Sequence, residues 1–469
     1  MEALQRLHNR GSISTGYDIE NSLKLEDANF EHITKNYSGD GDMRTWTYST
    51  WVKKCKFGSS NFDYMYMFAG QNTSIHFLNN GILRVALYNG SSTVYADIDR
   101  LFRDGSAWYH IIVALDTTQS TAADRVKIYI NGVRETVFDN STYTSMSQNE
   151  EFTIGQASAN YQVGYFYAGG GSNYGFSGYM AETHYVNGTA LDETSFGEFD
   201  DDSGIWKPKE YTGSHGSKGF YLKFDDSSNL GKDSSSGGIG DFSLSNITAA
   251  DQATDTPTNN FCTLNPLYNY AYGNTITEGA TKIYGAANNW GGGKATFGLT
   301  SGKWYWEIKQ LAGANTFMGL QTDGEDNISS GNAQSQNTSV VFYTDGTLQY
   351  SNGSETSTSA PNSITANSIV GFALDLDSPT QTIKVYLNGS LITTFGSSGT
   401  ANLSTYNLAD KTVFPFVALY DRTVNMNFGG YTISSISSAA SDENGYGTFE
   451  YAPPSGYYAL CTKNLEEFG

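Results

Sequence analysis

The chain has 469 residues, enough for about two to four domains at the usual size of about 100–200 residues each. Its 48 acidic residues against 27 basic ones give a net charge of -21, which argues against nucleic acid as a partner because phosphate binding needs clustered Lys and Arg. Aromatic residues make up 14% of the chain beside 51 glycines, a mixture typical of β-rich, turn-rich proteins.

The N-terminal sequence MEALQRLHNRGSISTGYDIE lacks the apolar stretch of a secretory signal. No segment approaches the roughly 18 consecutive apolar residues of a membrane span. We therefore expect a protein made in the host cytoplasm without membrane insertion, and a short arm over residues 1–12 that needs a partner to be ordered. The three cysteines, Cys55, Cys262 and Cys461, cannot all pair and lack metal-site spacing, which predicts free thiols.

From residue 22 to about residue 191 the chain reads as a succession of β-strands. Each apolar run is alternating or continuous and is closed by Gly, Asn or Asp. Residues 192–260 are richer in acids, Gly and Ser, with one further strand at 219–224. The main runs are TWTYSTWVK at 45–53, YMYMFAG at 64–70, SIHFL at 74–78, ILRVALY at 82–88, WYHIIVAL at 108–115 and RVKIYING at 125–132.

The strand pattern resumes after ATDTPTNNF at 253–261, which is the best domain boundary. No stretch shows a sustained helical period of about 12 residues or more, so the sequence predicts an all-β fold. The runs of the second half are TKIYG at 281–285, KWYWEIKQL at 303–311, TFMGLQT at 316–322, SVVFYTDGTLQY at 339–350, SIVGFALDL at 368–376, TIKVYLNG at 382–389, VFPFVALY at 413–420 and VNMNF at 424–428.

Four motifs of the first half form an ordered series: NSLKLED at 21–27, TWTYSTWVKK at 45–54, WYHIIVALD at 108–116 and FSGYMAETHYVNGTALD at 176–192. They resemble LamG-like domains of the concanavalin A-like lectin/glucanase superfamily, which implies an antiparallel β-sandwich. The usual opening strand is missing at the front, but YLKFDDSSNLGKDSSSGG at 221–238 has its character. We therefore expect residues 219–248 to return to the first sandwich and to cover an open sheet edge.

Three motifs of the second half follow in order: GKWYWEI at 302–308, VGFALDLDSPTQTIKVYLNG at 370–389, and VFPFVAL with VNMNFGG at 413–430. They resemble the SPRY family, itself a concanavalin A-like sandwich. NNFCTLNPL at 259–267 and APPSGYYALCTKNL at 452–465 lie outside these motifs and share a CTxNxL-like pattern. We expect those two segments to lie near one another at the base of the second domain.

The predicted fold is thus two concanavalin A-like antiparallel β-sandwiches, or jelly rolls, in tandem. The arrangement resembles structural proteins of marine tailed phages and related viruses, which implies a virion protein that recognises a host surface or decorates the particle. The predicted parts are an arm (1–12), a LamG-like sandwich (13–250), a linker (251–275), a SPRY-like sandwich (276–440) and a tail that packs on the second domain (441–469).

Sugar binding calls for exposed aromatic faces beside Asn, Asp and Gln. The segment SANYQVGYFYAGGGSNYGFSGY at 158–179 supplies that mixture, and its glycines predict a loop. Coverage of a sandwich edge or a subunit interface is an equally good interpretation of the same rings. In the second half the loop at 323–337 is a further candidate. The candidate ligand-binding residues are Tyr161, Tyr165, Tyr167, Tyr174, Asn288, Asn289 and Trp290.

Catalytic patterns are weak in this sequence. Glucanases of this fold alternate carboxylates along one strand, and the acids that alternate at 198–202 read as a solvated turn. The six histidines show no HExxH or other metal spacing. Calcium is the one cofactor left open, with Asp225, Asp226 and Asp233 as candidate ligands, and turn formation is the alternative role of these carboxylates.

The leading prediction is a non-enzymatic virion protein, either a tail fibre or adhesin or a capsid decoration protein, that binds host-surface polysaccharide or another receptor. Its expected partners are other virion proteins, reached through the N-terminal arm, and further copies of itself in a homo-oligomer. Two alternatives remain: a carbohydrate-active hydrolase of the glucanase type, and a structural virion cement protein.

Overall fold

The computed structural model divides the chain into two compact units, one ending at Thr258 and one beginning at Asn259. We call them the first and the second sandwich. The predicted all-β class is confirmed, because strands dominate both units and one short α-helix occurs in the described residues. The structure describes residues 16–57, 64–157, 160–167, 173–268, 274–285, 289–311, 315–322, 339–343, 347–351, 355–359, 364–393 and 398–469.

The first sandwich contains strands β1 to β20 and several single 3₁₀ turns. The turns are Asp27–Asn29, Ala122–Asp124, Thr142–Ser145, Thr153–Gly155, Glu193–Ser195 and Ala249–Asp251. The strands are β1 Ser22–Leu25, β2 His32–Asn36, β3 Thr45–Lys54, β4 Met65–Gly70, β5 Thr73–Phe77, β6 Ile82–Tyr88, β7 Thr93–Leu101, β8 Trp108–Asp116, β9 Val126–Ile130, β10 Val133–Arg134, β11 Phe138–Asn140, β12 Asn160–Val163, β13 Tyr165–Tyr167, β14 Asn173–Gly175, β15 Gly178–Asn187, β16 Gly197–Phe199, β17 Trp206–Pro208, β18 Phe220–Leu222, β19 Ser243–Ser245 and β20 Gln252–Ala253.

Two antiparallel sheets form this sandwich. Sheet A has the order β10-β9-β8-β3-β15-β1-β20, with β18 also beside β15, and sheet B has the order β11-β7-β6-β5-β4-β12-β2-β19. Alternate residues of each strand enter the core between the sheets, as Trp46, Tyr48 and Val52 do on β3. Two short ribbons, β13–β14 and β16–β17, lie outside the two sheets.

Residues 219–248 return to the first sandwich, as the sequence predicts. Strand β18 pairs with β15, and β19 pairs with β2 at the edge of sheet B. The segment that follows stays in the same unit, because Ser22 pairs with Ala253 and the backbone N–H of Ile19 donates to Thr258. The segment 251–275, predicted as a linker, is therefore divided between the two sandwiches.

The second sandwich contains strands β21 to β35, the 3₁₀ turn Leu403–Tyr406 and helix α1 at Thr462–Phe468. The strands are β21 Asn274–Thr277, β22 Lys282–Gly285, β23 Trp290–Lys294, β24 Lys303–Gln310, β25 Thr316–Thr322, β26 Ser339–Tyr343, β27 Thr347–Ser351, β28 Glu355–Ser359, β29 Ile369–Asp375, β30 Thr382–Leu387, β31 Ser390–Leu391, β32 Thr400–Asn402, β33 Val413–Tyr420, β34 Thr423–Asn427 and β35 Tyr458–Ala459.

Sheet C has the order β21-β22-β34-β24-β29-β30-β31, with β32 beside β30 and β35 beside β24; sheet D has the order β23-β33-β25-β26-β27-β28. Trp304 and Trp306 of β24 are fully buried in the core between them. Tyr305 points the opposite way, as alternation requires. It is also buried, because Phe449 and Tyr457 of the C-terminal segment pack against it.

The C-terminal segment packs on the second sandwich. Strand β35 runs parallel to β24, and Cys461 pairs with Phe261 in an isolated bridge. The backbone N–H of Cys262 donates to the carbonyl of Leu460 at 2.9 Å. The two CTxNxL-like segments thus lie side by side, which confirms the prediction that they are neighbours.

Matching Asn-Gly turns close one hairpin in each sandwich. Asn131 and Gly132 join β9 to β10 with φ of 48° and 75°, and Asn388 and Gly389 join β30 to β31 with φ of 47° and 78°. Two consecutive positive φ angles define the type I′ turn, which suits the twist of a hairpin and favours Asn followed by Gly.

The three cysteines are free and buried, as the sequence predicts. Burial raises the pKa of the Cys461 thiol to about 12, which keeps it protonated and unreactive. Within the described part of the chain, no helix has both the length and the apolar character that crossing a membrane requires.

Candidate functional site

A concentrated group of aromatic side chains lies on sheet B, on the face turned away from the core. Four residues form a row across four neighbouring strands, because Tyr66 is the register partner of His76, His76 of Arg84, and Arg84 of Asp97. Alternation along each strand places all four opposite the core side chains. The row thus follows from strand register alone.

Contacts within the row are close. The rings of Tyr66 and His76 stack with centroids 4.2 Å apart. Arg84 donates from Nε and Nη2 to the two carboxylate oxygens of Asp97 at 2.8 and 2.6 Å, and its guanidinium lies 4.5 Å above the ring of Tyr95. Burial, followed by the charge of Arg84, lowers the pKa of His76 to about 3, so this imidazole is neutral at physiological pH.

The ribbon β13–β14 adds further rings to the same face. Phe166 stacks on Tyr66 with centroids 4.8 Å apart. Tyr174 lies 5.6 Å from Tyr66 and 5.6 Å from Tyr64, the residue that precedes β4. We call this surface the aromatic face and define it by Tyr64, Tyr66, His76, Arg84, Tyr95, Asp97, Phe166 and Tyr174.

Three of the predicted ligand-binding tyrosines lie on the ribbon. Tyr174 belongs to the aromatic face, Tyr165 stacks on His32 with centroids 4.2 Å apart, and Tyr167 is 55% exposed. Residues 165–167 and 173–175 of the predicted loop are instead paired strands, with Tyr165 opposite Gly175, and residues 158–159 and 168–172 of that loop lie outside the described residues. Glycine there does not prevent strand pairing.

The prediction for Tyr161 is wrong. This residue is fully buried in the core of the first sandwich, 5.5 Å from the ring of Phe68, and its hydroxyl donates to the carbonyl of Lys218. Strand β12 alternates Asn160 and Gln162 with Tyr161, and alternation sends the tyrosine inward. Tyr161 therefore cannot reach a ligand at the surface.

The one aromatic candidate predicted for the second sandwich, Trp290, lies near the surface. Trp290 is half-buried at the start of β23, an edge strand of sheet D, with its ring 4.9 Å from Phe317 and 5.7 Å from Tyr420. Asn289 is exposed beside it. Asn288 and the loop at 323–337 lie outside the described residues.

The predicted calcium ligands form turns in this structure. Asp226 accepts from the backbone N–H and the hydroxyl of Ser228, and Asp233 accepts from the backbone N–H groups of Tyr221, Ser235 and Gly240. Asp225 lies 3.6 Å from the Lys223 ammonium. Among the residues that the structure describes, no three His, Cys, Asp or Glu side chains gather as a metal site would require.

One serine and histidine pair resembles a catalytic pair but has the wrong tautomer. Ser49 Oγ lies 2.8 Å from His110 Nε2, while His110 Nδ1 accepts a hydrogen bond from the indole of Trp206 at 2.9 Å. Nε2 must therefore carry the proton of the neutral ring and donate to Ser49. An imidazole in this state cannot take the serine proton as a general base.

One pair of alternating carboxylates is not among the residues predicted from the sequence. Asp97 and Asp99 are two residues apart on β7, the spacing that glucanases of this fold use, and Asp99 is exposed. Both oxygens of Asp97 already accept from Arg84. The arrangement favours a structural role for Asp97 over a nucleophilic one.

Comparison with known proteins matches residues 22–195 to a family model described as the concanavalin A-like lectin/glucanases superfamily. No curated protein sequence matches the chain. Among solved structures, the SPRY domain of human HERC1 is similar at 18% identity, with 35% of this chain and 96% of that chain covered and a TM-score of 0.26.

A pentraxin from Limulus polyphemus is similar at 20% identity, with 37% of this chain and 79% of that chain covered and a TM-score of 0.27. A candidate carbohydrate-binding protein from Bacteroides ovatus is similar at 16% identity, with 49% of this chain and 58% of that chain covered and a TM-score of 0.33. These low scores carry no weight for function, and the SPRY resemblance of the second half remains a prediction from its motifs. Residues 22–195 contain a concanavalin A-like domain.

Proposed function

We propose that the chain is a non-enzymatic virion structural protein, a tail fibre, adhesin or capsid decoration protein, and that it binds host-surface glycan through the aromatic face of the first sandwich. The observation that carries the glycan part is the gathering of rings from β4, β5, β7 and the β13–β14 ribbon on one face beside an Arg–Asp pair. The virion part rests on the resemblance of the tandem motifs.

Aromatic rings bind sugars because their faces pack against the apolar faces of pyranose rings, while nearby polar groups hydrogen-bond the hydroxyls. The ring of Tyr66 stacks on both His76 and Phe166, so its faces are not available to a sugar and it serves to position the neighbouring rings. Tyr64 and Tyr174 are half-buried and offer their remaining surface to a ligand. The hydroxyls of these tyrosines supply donors and acceptors at the rim.

Binding of soluble protein to host-surface polysaccharide on a glycan array tests the proposal. Tyr174→Ala and Phe166→Ala should each weaken binding at least about tenfold, which corresponds to about 1.4 kcal/mol. Tyr284→Ala is the matched control, because Tyr284 is a 38% exposed tyrosine of the second sandwich. Wild-type affinity in both face variants, with their folds intact, would refute the role of this face.

A hydrolase of the glucanase type is the second candidate, and the alternation of Asp97 and Asp99 is the observation that favours it. Release of reducing ends from host polysaccharide, abolished by Asp99→Asn, would establish it. Absence of release with binding retained supports the adhesin.

The N-terminal arm is proposed to dock the protein on the particle. Deletion of residues 1–12 should abolish incorporation into virions and leave glycan binding unchanged. The deletion stops before Tyr17 and Ile19 because both contact the first sandwich, Tyr17 through Glu182 and Ile19 through Thr258. Normal incorporation of the deletion variant would refute the arm as the docking element, and an electron-microscopy map of the virion would locate the protein and its symmetry.

A further inference from the structure

Residues 193–218, which we call the flap, cover the face of sheet A that points away from the core. The flap includes the ribbon β16–β17 and the loop that leads to β18. Beneath it, Ser49, His110 and Glu182 are all at most 5% exposed. Three of the six histidines of the chain, His110, His184 and His215, lie at the contact between flap and sheet.

The first contact joins Trp206 of the flap to His110 of β8. The indole N–H donates to Nδ1 at 2.9 Å, and the indole ring lies against Gly132 and Gly197, where a Cβ would overlap it. Since Nε2 of His110 donates to Ser49, both ring nitrogens are engaged. This contact requires a neutral imidazole, because a proton on Nδ1 removes the acceptor.

The second contact joins His215 of the flap to His184 of β15. Their facing nitrogens, Nε2 and Nδ1, lie 3.1 Å apart, and the two rings are nearly parallel at 10°. The other nitrogen of His184 lies 3.6 Å from a carboxylate oxygen of Glu182, which also accepts from the hydroxyls of Tyr17 and Tyr221. One proton between the two facing nitrogens allows one imidazole to donate to the other. A proton on each of these nitrogens places two N–H groups against each other, which breaks the hydrogen bond.

Several other charged or titratable groups surround these contacts. The carboxylate of Asp233 favours a proton on His215, but burial outweighs this charge. Lys209 of the flap lines the same small cavity as His110 and His184. The remaining groups nearby are Glu182 of β15, Glu210 and Tyr211 of the flap, Tyr17 ahead of β1, and Tyr221 of β18.

We propose that the flap is a pH-sensitive latch, in which protonation of His110 and His215 at acidic pH releases residues 193–218 from sheet A. Release uncovers Ser49 and Trp51, and so creates a second accessible face on the first sandwich. The rest of sheet A stays folded, because its strands pair with one another and pack against sheet B.

The direction of the pH effect follows from proton linkage. Burial, followed by the charge of His184, lowers the pKa of His110 to about 3 and that of His215 to about 4, from an ordinary value near 6.5. The stability that these groups give the closed flap is fully present above about pH 6.5 and is lost as the pH falls towards 4. At pH 5 each of the two histidines favours opening about 30-fold relative to neutral pH.

Amide hydrogen exchange of the full chain at pH 7.5 and pH 5, expressed as protection relative to the intrinsic exchange rate, tests the latch. Protection at the backbone amide of Asn187, which donates to the carbonyl of His215 in the flap, should fall about 10²- to 10³-fold at pH 5, while β3 and β8 keep theirs. Equal protection of this amide at both pH values, or a parallel loss in β3 and β8, would overturn the proposal.

Substitutions separate the latch from general acid sensitivity. The double variant His110→Gln with His215→Gln carries no titrating imidazole at these two positions and should keep the flap closed at pH 5. Trp206→Phe, which lacks the indole donor, should open more at pH 7.5. His76→Gln is the control, since His76 is a buried histidine of sheet B, and it should leave the flap's pH response unchanged. Acid opening of the double variant equal to that of the wild type would contradict the mechanism.

Discussion

The ion pair between Lys53 and Asp255 should be a main determinant of the stability of the first sandwich. The ammonium lies 2.7 Å from one carboxylate oxygen, and the side chains are 0% and 1% exposed. The other carboxylate oxygen accepts from the indole of Trp108 at 3.0 Å. Asp255→Asn keeps the shape and an acceptor for Trp108, so it removes the charge alone.

Breaking a buried ion pair by removing one partner costs about 3–5 kcal/mol, because the other charge stays out of water. A domain of this size loses about 2–4 °C in Tm per kcal/mol. Asp255→Asn should therefore lower the melting temperature of the first sandwich by roughly 6–20 °C and leave that of the second unchanged. Differential scanning calorimetry of the full chain measures this shift.

An exposed ion pair of the same sandwich provides the control. Arg44 and Glu151 lie 2.7 Å apart, but their side chains are 46% and 48% exposed. Glu151→Gln should cost at most about 1 kcal/mol, because water screens such a pair. If Asp255→Asn melts within about 2 °C of Glu151→Gln, burial does not set the strength of the pair and the reasoning fails.

Two other substitutions test the sandwiches separately. Asp442→Ala should destabilise the second sandwich by at least about 3 kcal/mol in calorimetry. The Asp442 carboxylate accepts from buried donors of the C-terminal segment, among them the backbone N–H of Ala459 at 2.9 Å and the side-chain amide of Asn464 at 2.7 Å. Substitution of the exposed residue Glu466 by Ala should change the stability little, and equal effects of the two substitutions would contradict the role of Asp442. His76→Gln should reduce the loss of stability of the first sandwich between pH 6.5 and pH 4. A buried histidine with a pKa of about 3 lowers the free energy of unfolding by about 2 kcal/mol at pH 5 relative to neutral pH. An unchanged dependence of stability on pH would show that His76 does not contribute.

The fold could be predicted from the sequence because apolar periodicity and turn residues act locally. The runs at 45–53, 108–115 and 303–311 are all strands in the structure. The Asn-Gly pairs at 131–132 and 388–389 close hairpins, which is the turn that this residue pair favours. The return of residues 219–248 was predicted from the resemblance to LamG-like domains, whose usual opening strand is missing at the front of this chain and is matched by residues 221–238.

The site was harder to predict, because it depends on neighbours in space. Composition drew attention to the tyrosines at 158–179 but did not distinguish Tyr161, which alternation sends inward, from Tyr174. The supporting residues Tyr66, His76 and Arg84 come from three separate strands, and only their register brings them together. The alternation of Asp97 and Asp99 was visible in the sequence as the DID within ADIDRL and went unnoticed.

The histidines under the flap show the same limit. His110, His184 and His215 have no motif spacing, and a search for metal signatures passes over them. Their contact follows from the position of β8 and β15 on either side of β3 and from the flap that crosses them. Long-range topology of this kind is not encoded in any single segment.

The pairing of β1 has a kinetic consequence. Its partners, β15 and β20, come much later in the chain than β1, and β20 comes near the end of the first sandwich, with Leu23 beside Met180 and Ser22 beside Ala253. During synthesis, sheet A cannot close until the ribosome has delivered nearly all of this sandwich, and contacts of such long range form slowly. The incomplete sheet exposes unpaired strand edges for that whole interval, and such edges favour aggregation. The yield of folded protein should therefore depend on the translation rate and on chaperones, even though the folded protein is stable.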